Sequence, residues 1–128
     1  MPEQHLFEYA VIRIVPRVER EEFLNVGVVL FCRDQKFLQA MFEMNDSKIR
    51  AFSPQINMEQ LHAYLCAFKE ICAGDNPASP ISQLPMIERF RWITAARSTM
   101  LQTSSVHSGL CTDAHETLLK LHQRLVLD

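Results

Sequence analysis

From Val26 to Cys32 every residue of the run Leu24-Asn-Val-Gly-Val-Val-Leu-Phe-Cys32 is apolar. In a strand, successive side chains point to opposite faces. A strand with this composition therefore has no side to show to water. It predicts the middle of a sheet with both faces covered. No other stretch constrains the fold as strongly.

The segment before it behaves differently. Tyr9, Val11, Arg13 and Val15 alternate with Ala10, Ile12 and Ile14. That is a period of two and a strand. Pro16 ends it, because proline cannot donate to a ladder. Arg17 to Glu22 is nearly all charged and reads as a solvated turn, after which Phe23 is expected to re-enter the core. Asn25 and Gly27 interrupt the apolar strand near its start. A glycine there marks a bulge or the close approach of another backbone. Arg33 to Lys36 is a short polar connection, and Phe37 to Met44 reads as a third strand. Residues 7–44 thus predict an antiparallel meander.

Helix signals follow. Asn45-Asp46-Ser47 opens a short turn that ends before Ser53-Pro54. Asn57 is an N-cap for a longer helix. Its apolar stripe is Leu61, Tyr64, Leu65, Phe68, Ile71 and Cys72, and Gly74 is placed to end it. Asp75 to Pro85 holds three prolines and reads as a loop and a candidate mobile segment, with one helical turn at Ser79-Pro80. From Met86 to Ala95, Phe90, Trp92 and Thr94 alternate with Arg89, Arg91 and Ile93, which predicts a strand. Ser98 to Thr103 reads as another, and Ser104 to Leu110 as irregular. Asp113 with Glu116 caps the last helix, whose buried stripe is Leu118, Leu121, Leu125 and Val126. The predicted class is α+β: an N-terminal three-strand meander extended by one or two C-terminal strands, with about three helices packed on the sheet. Residues 1–128 are expected to form a single domain.

Composition narrows the function. The 128 residues are 48% hydrophobic and 22% charged, with net charge −2. Those are globular values. The charge lacks the basic excess of a general nucleic-acid binder. Met1 to His5 is polar, with no basic start before an apolar run, and no stretch reaches the roughly 20 apolar residues of a membrane span. A cytoplasmic protein is expected. Cys32, Cys66, Cys72 and Cys111 show no two-residue spacing, so they are read as reduced and structural.

Two segments carry a resemblance. One is Tyr9-Ala-Val-Ile-Arg-Ile-Val-Pro16 followed by Glu22-Phe-Leu-Asn-Val-Gly-Val-Val-Leu-Phe-Cys32. The other is Phe90-Arg-Trp-Ile-Thr-Ala-Ala-Arg-Ser-Thr99, continuing to Val106-His107 and Gly109-Leu110. Together they resemble a bacterial family of small uncharacterised proteins, domain of unknown function 3037, over nearly the whole chain. The resemblance implies no reaction. It implies a partner, since some members are encoded beside kinase-like proteins resembling the HipA toxin.

Arg13, Arg91 and Arg97 lie in the two motif segments. If their strands face one another, the guanidinium forks converge on a phosphate or carboxylate. The alternative is pairing with Glu8, Glu22 or Glu88, or snorkelling to solvent. Ser98, Ser105 and His107 offer a nucleophile and a base. No glycine elbow or orienting acid accompanies them, and turn capping explains them better. His62 and Cys66 share a helix face at a spacing compatible with zinc, yet no second ligand pair stands out. His115 and His122 read as boundary residues of the last helix. Asn25, buried in a strand, must satisfy its donors and acceptor, and holding Arg13 or the nearby turn would do so.

No catalytic residue, metal ligand or cofactor is assigned. The first functional reading is a non-catalytic protein-binding module or accessory subunit, its partner the kinase-like protein that the resemblance implies, with Trp92 and Arg97 at the contact. The second is an anion-, nucleotide- or nucleic-acid-binding domain built on Arg13, Arg91 and Arg97, with Asn25, Ser98 and His107 nearby. In it, Arg89, Arg91, Trp92 and Arg97 share one face of the sheet, for stacking and charge.

Overall fold

The computed structural model describes residues 3–95 and 99–127. β1 (His5–Ile14), β2 (Leu24–Cys32) and β3 (Phe37–Phe42) form the predicted antiparallel meander. β4 (Leu101–Thr103) and β5 (His107–Cys111) both pair with the other edge of β1. The order is β3-β2-β1-β4, with β5 on β1 beyond β4. The class is α+β, as the alternation predicted.

Both faces of β2 are covered. On the first face, Val26, Val29 and Phe31 join Ala10, Ile12 and Ile14 of β1 beneath α1 (Asp46–Phe52), α2 (Met58–Ala73) and α3 (Met86–Thr94). On the second, Val28, Leu30 and Cys32 join Phe7 and the inner residues of α4 (Ala114–His122). All of Val26–Cys32 is buried.

Val26 and Val28 are both even-numbered, yet they face opposite ways. The register explains it. Ile12 pairs with Gly27 and Arg13 with Asn25, so Val26 is an extra residue in β2. That is a β-bulge, and it reverses the facing of everything before it. Gly27 meets the second expectation as well. A Cβ there would lie 2.3 Å from the Met41 carbonyl oxygen and 2.9 Å from the Phe42 ring, so only glycine fits.

The predicted caps are present. Asn45, Asn57 and Asp113 each accept a backbone N–H from three residues on. Gly74 closes α2 in the left-handed region, at φ 65°. The loop after it is pinned to α2. Asn76 donates to the Glu70 carboxylate at 2.6 Å and accepts from Ala78 N–H at 2.9 Å, while Gln83 donates to the Asn76 carbonyl. A single 3-10 turn, Ile81–Gln83, follows Pro80.

Three expectations are corrected. Met86–Thr94 is a helix, not a strand. Met86, Phe90 and Ile93 recur at steps of four and three. Phe90 and Ile93 are buried, while Arg91 and Trp92 face outward. The Phe90 ring stacks on Phe31 at 5.4 Å. His107–Leu110, within the stretch 104–110 expected to be irregular, form an edge strand with Cys111. With one neighbour they need little apolar content, and Gly109 lets the Phe7 ring lie across them. Phe23 does not re-enter the core and is 46% exposed. In the expected strand 98–103, residue 98 lies outside the described residues.

Phe68 is buried on the sheet, edge-on to Phe42 at 5.7 Å. Phe68→Ala should cost about 3–5 kcal/mol. Urea denaturation reads this directly; an unchanged midpoint would place the stripe of α2 in solvent.

Candidate functional site

The bulge has a chemical result. Without Val26 as an extra residue, Asn25 would point into the first core cluster. With it, Asn25 shares the second face with Arg13, its cross-strand partner. Bulges commonly re-aim a side chain in this way. One strand further, Glu43 extends the ladder, its N–H donating to the Val26 carbonyl at 2.7 Å. Arg13, Asn25 and Glu43 thus form a polar row across β1, β2 and the end of β3.

The end of α4 roofs this row. After His122 the chain widens into a π-helical turn, Gln123–Leu127. Such turns are rare and recur at functional sites. Here the turn brings the Leu125 carbonyl to the Asn25 side-chain N–H at 3.3 Å. The Arg13 guanidinium lies over the Phe23 ring, 3.9 Å from its centroid. That cation–π contact gives the guanidinium an aromatic partner, and it explains why Phe23 stays at the surface.

Three buried polar atoms make no hydrogen bond among the described residues: Arg13 Nε, Asn25 Oδ1 and His122 Nδ1. Each such group costs about 1–3 kcal/mol when left unpaired. The row therefore holds a donor, an acceptor and an imidazole nitrogen able to act as either. Burial pushes the His122 imidazole below its ordinary pKa, and the Glu43 carboxylate acts in the opposite direction. His122 is buried, not a boundary residue.

The other predicted residues disperse. Ile12 and Ile14 occupy the first face, so Arg13 emerges on the second, whereas α3 with Arg91 packs on the first. Strand pairing does not bring these two arginines together. Arg91 is exposed and 3.8 Å from Glu88, one of the carboxylates weighed for it. Trp92 is 43% exposed. Arg97 and Ser98 lie outside the described residues. His107 is exposed on β5, its ring 5.4 Å from Tyr9, and no carboxylate orients it among the described residues. The shared basic face of a strand does not form, because Arg89 and Arg91 belong to a helix and point differently.

Arg89 has a role the sequence reading missed. It is 9% exposed and donates to the carbonyls of Ile71, Cys72 and Leu84. A cation at the C-terminus of α2 satisfies orphan carbonyls and complements the helix dipole. Only the four- and three-residue steps between Met86, Phe90 and Ile93 around it hinted that it sat on a helix.

No built nucleophile emerges from the cysteines. Burial pushes the Cys72 thiol up to about 12, against the charge of Arg89. Burial first, then neighbouring Cys32, raises Cys111. Exposed His62 lies 3.9 Å from Asp46. Among the described residues no group of three or more His, Cys, Asp or Glu is placed to hold a metal ion.

This architecture, an antiparallel sheet with helices on both faces, defines a small α+β protein. The family model described as protein of unknown function (DUF3037) matches residues 9–126, and the chain belongs to that family. No curated protein and no solved structure matches it.

His122 makes stability depend on pH in a defined direction. An unfolded histidine protonates near about 6.5, while the folded one resists. Below that pH the unfolded chain binds more protons, so stability falls as pH drops from about 6.5 through the lower folded value. Urea midpoints between about pH 5 and 8 should show this limb. His122→Phe should flatten it, and Glu43→Gln should enlarge it.

Proposed function

We propose that the chain is a non-catalytic accessory subunit that binds another protein through the open end of its sheet. The observation that carries this reading is the cross-strand pair Leu6 and Leu110, 58% and 62% exposed. Both sit on the face that α2 and α3 cover elsewhere. The Phe90 ring of α3 stops on the adjoining row, where Phe31, Glu8 and Ser108 align. Beyond it the sheet is bare. The outer edge of β5 pairs with no strand among the described residues. An unpaired edge with an apolar face suits a partner that adds a strand and seats its own apolar side chains.

The family resemblance supplies the partner to try first, a kinase-like protein resembling HipA. Trp92 and Arg97 form the second contact in this reading, being residue types that dominate interface energetics. A cytoplasmic setting accompanies it. Among the described residues no helix is long and apolar enough to cross a membrane. The anion-binding alternative retains one supporting observation, the unpaired Arg13 Nε and Asn25 Oδ1 beneath the π-helical turn.

The test is co-purification with the kinase-like protein of its own host. Leu6→Glu with Leu110→Glu should reduce capture by at least tenfold and leave the melting temperature within a few degrees, since both positions are exposed. Trp92→Ala with Arg97→Ala is the parallel variant for the second contact. Capture that survives both pairs of substitutions rules the reading out.

A further inference from the structure

A cleft of about 580 Å³ opens at the end of the sheet opposite Leu6 and Leu110. Two connections form its walls, each with a proline within two residues of the end of a regular element. One runs from Pro16, where β1 ends, to Glu22. The other is the Ser53-Pro54-Gln55-Ile56 link between α1 and α2. Phe52, Ile56 and Met100 give it apolar lining. Its size lies within the range of roughly 300–1,000 Å³ typical of small-molecule sites.

The rim is charged unevenly. Arg17, Arg20 and Glu22 line the cleft, and Glu22 is the only acid among its described lining residues. Glu21 adopts a left-handed backbone, φ 57°, an uncommon conformation for a residue other than glycine. Across it, Arg20 Nε meets the Glu22 carboxylate at 2.6 Å. That pair neutralises one arginine and occupies the acid. Arg17 is exposed and forms no ion pair among the described residues, so the cleft keeps one uncommitted cation above an apolar lining.

We propose that this cleft binds a small free molecule with an anionic head and an apolar body, the head on Arg17 and the body against Phe52, Ile56 and Met100. Volume, lining and the single net positive charge of the described lining residues all match that class. The site is separate from the Arg13–Asn25 row, which lies on the second face, and it does not depend on the protein-binding reading.

Anilinonaphthalene sulfonate has this chemistry and reports binding by fluorescence, and uncharged N-phenylnaphthylamine is its neutral counterpart. The full chain should bind the sulfonate at one site and the neutral dye at least fivefold more weakly. Arg17→Ala should weaken the sulfonate about five- to tenfold, with less effect at high salt. Glu22→Gln should tighten it by releasing Arg20. All three charged positions are exposed, and a melting curve confirms the fold of each variant. A purely apolar surface would give equal affinities for the two dyes and no response to either substitution. That result would overturn the proposal, as would sulfonate binding lost equally in a Leu6→Glu, Leu110→Glu variant.

Discussion

The burial of β2 on both faces is the constraint from which the rest follows. Seven consecutive apolar residues leave no polar face, so the fold must supply cover on two sides. α1, α2 and α3 provide it on one, α4 and its π-helical turn on the other. The meander alone would leave both of these faces exposed. Helices at the far end of the chain are therefore needed to stabilise a strand near its start. The β2–β3 turn is tied to the start of α4 accordingly. Gln35 donates to the Thr112 carbonyl and accepts from the Ala114 N–H, both at 2.8 Å.

The bulge at Val26 is where this regular solution is broken. Continuing the alternation would have placed Asn25 among Ile12, Ile14 and Phe68's neighbours. The extra residue moves it to the second face, where Leu125 offers a carbonyl. The polar row that results remains imperfectly satisfied, with three buried atoms unpaired among the described residues. Elsewhere among the described residues no buried side-chain nitrogen or oxygen is left without a hydrogen bond. Ser104 shows this. Its hydroxyl accepts the Val11 N–H and its own N–H donates to the Val11 carbonyl, filling the gap between β4 and β5. The contrast sets the Arg13–Asn25–His122 row apart from ordinary packing.

Much of this was legible in the sequence because it rests on local rules. Alternation located β1, the apolar run located β2, and Asn45, Asn57 and Asp113 located three helix starts. Gly27 announced both the bulge and the tight approach of Met41. What failed was non-local. In α3, Phe90, Trp92 and Thr94 mimic a strand, and only the docking of Phe90 and Ile93 settles the period. Arg89 read as part of a basic sheet face with Arg91, Trp92 and Arg97, since the carbonyls it caps lie 17 and 18 positions earlier. β5 has an edge strand's mixed composition, and its partner is about a hundred residues away. Of the candidate residues, Arg13 and Asn25 were found together because the bulge signal lay beside them. Arg91 was misplaced with its helix.

The two ends of β1 divide the protein's surface chemistry. Leu6 stands at one end, on an uncovered apolar patch, and Arg13 at the other, in the polar row. Seven residues of extended chain separate them, roughly 23 Å at about 3.3 Å each. That exceeds the Debye length of about 8 Å at physiological ionic strength. Charges introduced at the patch are thus screened from Arg13 and His122, and substitutions so far apart should add independently. A partner seated on Leu6 and Leu110 would leave the bulge, the π-helical turn and the cleft beside Pro16 accessible. Contact at the open edge and recognition of a small ligand can therefore coexist on one short chain, because a single buried strand pair holds both ends rigidly apart.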